Sequence, residues 1–121
     1  MHILIIEDDP LLALDLQMFV EDLGAVSSLV ASSEDEAIDR AKRFPPDVIL
    51  ADLRLREGFG PSAIQAIRDV LGDVPVIYIT GNAAEAREID ASAPVLEKPF
   101  NWDELTHVLT SVKIRRTRAA E

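Results

Sequence analysis

Apolar and polar positions along this chain follow two rhythms. Short continuous apolar runs at 3–6, 48–51, 76–79 and 95–96 alternate with longer stretches of helical spacing. Such runs read as strands buried on both faces, which is the mark of a parallel sheet. The pattern predicts strands over about 2–6, 48–52, 74–80 and 94–97, with a weaker one over 26–31.

Helix signals fill the gaps between these runs. Asp9 is placed as an N-cap, with Pro10 at the first helical position. Leu12, Leu16, Phe19 and Leu23 then share one face, and Gly24 ends the helix. Ser33 and Glu36 have capping-box spacing before a second helix, which turns Ala37, Ile38 and Ala41 inward and stops before Pro45-Pro46. A loop through Gly58 and Gly60 leads to a third helix with Ile64, Ile67 and Leu71 on one face. A short fourth helix is predicted over 83–89. A fifth starts near Asn101, with Glu104 at capping spacing and a stripe of Val108, Leu109 and Val112. Five strand–helix units in this order predict an α/β fold with helices on both faces of one sheet.

Composition narrows the class. The 121 residues suffice for one domain with a real core and are too few for two. Cysteine is absent, so disulfides and thiolate chemistry are excluded. The net charge of −10 argues against a nucleic-acid surface over the body of the domain. No apolar run nears the ~18 residues of a membrane span, and no leader pattern precedes the first strand. The expectation is a soluble, cytoplasmic protein. Lys113, Arg115, Arg116 and Arg118 cluster at the end, which divides the chain into a domain over 1–113 and a basic tail over 114–121. That tail reads as a helix end matched to the helix dipole, followed by a solvated segment, with a docking tail for an acidic partner as the alternative.

The candidate chemistry sits where the strands stop. In an open parallel sheet the ligand crevice lies beyond the carboxyl ends of the strands. Glu7, Asp8 and Asp9 follow the first strand, Asp52 ends the third, Thr80 closes the fourth and Lys98 follows the fifth. Two carboxylates about 5 Å apart at an effective dielectric near 20 repel by roughly 3 kcal/mol. Glu7, Asp8 and Asp52 therefore need cationic company. Lys98 supplies one charge, and oxygen-only donors without His or Cys suit Mg²⁺ or Mn²⁺ for the rest. Asp52 is the candidate nucleophile, because a carboxylate accepts a phosphoryl group as an acyl phosphate. Thr80 and Lys98 suit the charged phosphoryl oxygens. Asp9 reads as a helix cap, His2 and His107 as structural, and Trp102 as a packing residue.

The segments Ile5-Ile6-Glu7-Asp8-Asp9-Pro10, Ile49-Leu50-Ala51-Asp52-Leu53-Arg54-Leu55, Ile79-Thr80-Gly81 and Glu97-Lys98-Pro99-Phe100 together carry a family resemblance. The chain resembles the response-regulator receiver domain of two-component signalling over residues 1 to about 113. The resemblance implies a flavodoxin-like (βα)5 three-layer sandwich with sheet order 2-1-3-4-5. It implies Asp52 as phospho-acceptor from a histidine kinase. Asp8 would ligate Mg²⁺ directly, Glu7 through water, and the Arg54 main-chain carbonyl would complete the protein ligands. Thr80 would turn its hydroxyl to the phosphoryl group and Lys98 would pair with it. The Lys98-Pro99 bond would be cis. Three positions depart from the family pattern: Val95 replaces a usual aromatic residue, the stretch from Thr80 to Lys98 is short, and Arg56 replaces a usual proline.

The expected function is a stand-alone receiver without an output domain. It would act through a protein partner, as a relay to a histidine phosphotransfer protein, or as a phosphate sink. The aromatic substitution tilts this toward relay or sink. Its chemistry would be limited to self-phosphorylation and autodephosphorylation, so it would not be a conventional enzyme. An alternative is a phosphorylation-independent interaction module with the same fold. A metal-dependent phosphatase or nucleotide-binding protein fits less well, since no Asp-x-Asp pattern or glycine-rich phosphate loop follows a strand. Oligomeric state has no signature in the sequence.

Overall fold

The computed structural model describes residues 1–25 and 27–120, with side chains from residue 113 onward outside the described set. The elements run β1 His2–Ile6, α1 Pro10–Asp22, β2 Ser27–Ala31, α2 Glu34–Arg43, β3 Val48–Ala51, β4 Arg54–Leu55, β5 Gly58–Phe59, α3 Gly60–Leu71, β6 Val76–Thr80, α4 Ala83–Ile89, β7 Val95–Glu97 and α5 Trp102–Ala120. Five strands form one parallel sheet of order β2-β1-β3-β6-β7. Setting aside the small β4–β5 hairpin, this is the expected order 2-1-3-4-5. Among the described residues no helix is long and apolar enough to cross a membrane.

Alternation along the strands divides the core in two. Ile3, Ile5, Val48, Leu50, Ile77 and Ile79 pack with Leu16 and Val20 of α1 and with Leu105, Leu109 and Val112 of α5. Leu4, Ile6, Ile49, Ala51 and Tyr78 face α2 through Ala37 and Ala41, α3 through Ala63, Ile64 and Ile67, and α4 through Ala86. The sheet is thus the middle of three layers. Each fully buried Leu, Ile or Val is worth about 1.5–3 kcal/mol. That exceeds the fractions of a kcal/mol by which helix propensities of ordinary residues differ, so burial decides where the helices lie.

Local chemistry explains most boundaries. Asp9 accepts N–H bonds from Leu11 and Leu12 at 3.0 and 3.4 Å and caps α1 as expected. Ser33 caps α2 through the Glu36 N–H. The returning half of the capping box goes elsewhere, because the Glu36 carboxylate accepts from the N–H and hydroxyl of Ser32. Asn101 accepts the Glu104 N–H at 2.8 Å and opens α5. β6 starts at Val76 rather than residue 74, since Pro75 has no N–H for the ladder. β3 stops at Ala51, one residue short of expectation. The expected start of the second strand, Val26, lies outside the described residues. So do the side chains of the basic cluster at 113–118.

Two helix faces differ from expectation. Leu23 is exposed, and the buried face of α1 is carried by Ala13, Leu16 and Val20. Leu105 joins the α5 stripe, one turn before Leu109. The expected loop before α3 contains the β4–β5 hairpin. Its exit is crowded: the Gly60 N–H donates to the Leu53 carbonyl at 2.6 Å, and a Cβ on Gly60 would lie 2.0 Å from the Asp52 carbonyl oxygen. Gly60→Ala is therefore expected to cost about 3 kcal/mol of unfolding free energy by overpacking. Urea denaturation checks this, and a loss below about 1 kcal/mol contradicts it.

Candidate functional site

The parallel registers bring four strand ends to one edge. Ile6 pairs with Ala51, Ala51 with Tyr78, and Thr80 with Glu97. The residue after each end is still held by its neighbour. The Glu7 N–H donates to the Ala31 carbonyl at 2.9 Å, that of Asp52 to Ile6 at 3.0 Å, and that of Lys98 to Thr80 at 2.8 Å. Glu7, Asp52 and Lys98 thus leave the sheet from fixed backbone.

Their side chains converge. The Lys98 ammonium donates to Glu7 Oε1 at 3.1 Å and to Asp52 Oδ2 at 3.0 Å, bridging residues 91 and 46 positions away. Glu7 is 3% exposed and also accepts the Asp9 N–H through Oε2 at 3.1 Å. Asp52 Oδ1 accepts the Leu53 N–H at 2.8 Å. Asp8 is half-buried and accepts the Arg56 N–H through Oδ2 at 2.6 Å. The Lys98-Pro99 peptide is cis, as the resemblance implied.

Thr80 lies at the same edge but turns inward. It is buried, and its hydroxyl oxygen accepts the Asn82 N–H at 3.1 Å. Asn82 in turn caps α4 by accepting the Glu85 N–H. Arg54 sends its side chain away from the acids, to Glu85 on α4, with its guanidinium 5.5 Å from the Phe59 ring centre. Glu85, Phe59 and the Arg56 N–H had no place in the sequence reading. Only the capping spacing of Asn82 and Glu85 foreshadowed one of them. The exposed Arg54–Glu85 pair is worth less than about 1 kcal/mol, so it ties α4 to the acceptor loop only loosely.

Burial and charge act on the bridging lysine in opposite directions. Burial pushes Lys98 down, but the hydrogen bond to Asp52 and the charges of Glu7 and Asp52 outweigh it. Its pKa ends above the ordinary lysine value, so the ammonium stays protonated. Burial pushes Glu7 up, against the lowering by the Asp9 N–H and by Lys98, and the Asp52 charge adds to the rise. Three carboxyl groups face one ammonium, so the site has more acidic groups than Lys98 alone balances.

One carboxylate oxygen from each of Glu7, Asp8 and Asp52 falls within 4.8 Å of the others. Hard oxygen donors of net negative charge, partly open to solvent, fit a Mg²⁺-like cation that keeps several waters. The sequence profile of the response regulator receiver domain matches residues 3–110. The chain belongs to the response regulator receiver family. The phyllosphere-induced regulator PhyR of Methylorubrum extorquens is 38% identical over 116 residues, covering 90% of this chain and 42% of that protein. The autoinducer 1 sensor kinase/phosphatase LuxN of Vibrio campbellii is 32% identical, covering 88% of this chain and 13% of that protein. The chain thus spans less than half of either relative.

Solved structures agree. The receiver domain of PhyR from Erythrobacter litoralis matches with a TM-score of 0.79 and 30% identity, covering 93% of this chain and 89% of that one. The anti-anti-sigma factor PhyR from Bartonella quintana matches with a TM-score of 0.83 and 29% identity, over 98% of this chain and 49% of that one. Receivers generally bind Mg²⁺ and interact with histidine kinases, and they are typically non-catalytic regulators. The acidic crevice of this receiver has the donor set for such a cation.

The raised Glu7 pKa has a consequence for stability. A carboxyl whose folded value exceeds its unfolded value of 4.5 favours the fold at low pH, and loses that contribution as pH rises through the two values. In metal-free buffer Glu7→Gln should therefore melt above wild type at pH 7. The difference should fade as pH falls below the ordinary carboxylate range. Thermal unfolding from pH 7 to pH 4 checks this, and a variant that melts lower at neutral pH contradicts it.

Proposed function

We propose that this receiver accepts a phosphoryl group from the phosphohistidine of a histidine kinase onto Asp52, with Mg²⁺. The single observation that carries this is the Lys98 ammonium bridging Asp52 and Glu7 beside Asp8. A bound Mg²⁺ supplies positive charge to the phosphoryl oxygens. Glu7, Asp8, Asp52 and the Arg54 main-chain carbonyl are the proposed ligands.

The remaining roles follow from chemistry and position. An Asp52 carboxylate oxygen attacks phosphorus, the P–N bond to the donor imidazole breaks, and the imidazole takes its proton from solvent. The product is an acyl phosphate on Asp52. The Leu53 N–H on Oδ1 keeps the carboxylate oriented during the approach. Lys98 already contacts Asp52 Oδ2, so it needs little movement to pair with a transferred phosphoryl oxygen. Thr80 accepts the Asn82 N–H through its oxygen, and its hydroxyl proton is available for another phosphoryl oxygen. Turning toward the phosphoryl group breaks the bond to Asn82, which caps α4. Phosphorylation thus reaches α4 through Thr80, without an aromatic residue at position 95.

The donor protein needs a place to dock. Leu11, Leu14 and Met18 on α1 are spaced i, i+3 and i+7 and are 74, 51 and 57% exposed. Their stripe begins two residues after the Asp9 cap and so flanks the crevice. An apolar helical stripe at this place suits a partner helix that carries the phosphohistidine. The output is proposed to pass through protein partners, by relay of the phosphoryl group or by its hydrolysis as a sink.

Intact-mass measurement after Mg²⁺ and acetyl phosphate tests the acceptor. The expected result is a gain of one phosphoryl group that requires Mg²⁺ and is lost in Asp52→Ala. Failure of both acetyl phosphate labelling and beryllofluoride binding would overturn the proposal in favour of a phosphorylation-independent interaction module. Leu14→Asp tests docking separately. It should slow transfer about tenfold from any phosphohistidine protein that labels the wild type, matching ~1.4 kcal/mol of lost apolar contact. Labelling by acetyl phosphate should stay unchanged.

A further inference from the structure

Asp8 is held differently from the other two acids. Glu7 and Asp52 share Lys98, and each also accepts an N–H from a residue close in sequence. Lys98 donates to neither oxygen of Asp8. Among the described residues, the hydrogen bond to Asp8 comes from the Arg56 main-chain N–H, across 48 positions and at 2.6 Å. That bond uses Oδ2. It is a charge-assisted bond at the short end of the N–H···O range, the strong class for such contacts.

The position of this N–H is set by the hairpin around it. Arg54 pairs with Phe59 and Leu55 with Gly58, so residues 56 and 57 form the tip. The first residue of α2 clasps the hairpin on both sides. The Glu34 N–H donates to the Glu57 carbonyl at 3.1 Å, and Glu34 Oε1 accepts the Phe59 N–H at 3.0 Å. Gly58 sits at φ +125°, and a Cβ there would meet Glu34 Cβ at 2.4 Å, so the clasp admits only glycine. The tip is therefore fixed to α2, and the Arg56 N–H is aimed at Asp8 by the framework rather than by its own side chain. A proline at this position would have no N–H to give.

We infer that Arg56 is a positioning residue for the divalent-cation site, acting through its main-chain N–H on Asp8. This rests on the proposed Mg²⁺ reading of the crevice. The bond fixes the carboxylate at Oδ2 and leaves Oδ1 for the cation. Hydrogen-bond partners of ligating carboxylates typically govern 10–100-fold of metal affinity. The guanidinium plays no part in the effect, so the identity of the side chain matters only through the presence of an N–H.

Calorimetric titration of the full chain with Mg²⁺ separates the two. Arg56→Pro removes the N–H, and the preceding residue is in a strand, the backbone that proline favours before it. Its Mg²⁺ affinity should fall at least about tenfold. Arg56→Ala keeps the N–H and should bind at least as tightly as wild type, within about twofold of it or better. Equal affinity in Arg56→Pro and wild type overturns the inference, as does an equal loss in both variants. Absence of Mg²⁺ binding by the wild type instead overturns the cation reading beneath it. If Arg56→Pro does not fold, amide NMR of the wild type decides the matter. The Arg56 amide should exchange slowly and shift with Mg²⁺ at the calorimetric midpoint. An amide that exchanges freely and ignores Mg²⁺ overturns the inference.

Discussion

Three carboxylates at one sheet edge repel one another, and the Lys98 ammonium is what lets two of them stand together. It joins the end of β7 to the ends of β1 and β3, passing over β6 between them. At an effective dielectric near 20, each contact offsets several kcal/mol of repulsion and burial cost. One positive charge does not neutralise Glu7, Asp8 and Asp52. The excess is a standing preference for a second cation, and a standing cost when none is bound. The Glu7 pKa is raised chiefly by burial, and the Asp52 charge adds a smaller push in the same direction.

Much of the surrounding backbone follows from keeping this crevice in place. The Asp52 N–H is held by the Ile6 carbonyl, and Gly60 must lack a side chain to pass the Asp52 carbonyl. The β4–β5 hairpin is clasped by Glu34 and reaches Asp8 with a main-chain N–H. Thr80 and Asn82 pass the crevice on to α4, and Arg54 reaches the same helix through Glu85. Two contacts thus tie the crevice edge to α4. One is through a buried hydroxyl and a helix cap, the other through an exposed ion pair of small worth. The first is the stiffer link.

The readable parts of the fold were those where one local rule dominates. Apolar runs marked the sheet strands, because residues buried on both faces have no polar alternative. The caps at Asp9, Ser33 and Asn101 formed as their residue types imply, since capping needs only neighbouring backbone. Leu23 differs from expectation because helical spacing does not say which of two adjacent stripes meets the sheet, and Leu105 extends the expected α5 stripe by one turn. The α1 stripe of Leu11, Leu14 and Met18 is as apolar in sequence as its buried counterpart. Only the packing of Leu16 and Val20 of α1 against the sheet shows which face remains for a partner. The hairpin was missed because its strands have two residues each and no alternating pattern.

By itself the sequence determined the layer architecture and the placement of Glu7, Asp8, Asp52, Thr80 and Lys98 at strand ends. Those features follow from local periodicity and from the fact that parallel strands all end on one side. Only the tertiary structure decided which acids Lys98 contacts, where the hydroxyl of Thr80 points, and that Arg56 holds Asp8 through its backbone. The Lys98 and Arg56 contacts depend on distances between segments 46–91 residues apart. A main-chain N–H is present at every position except proline, so its partner is set by how the chain folds and not by the residue that carries it.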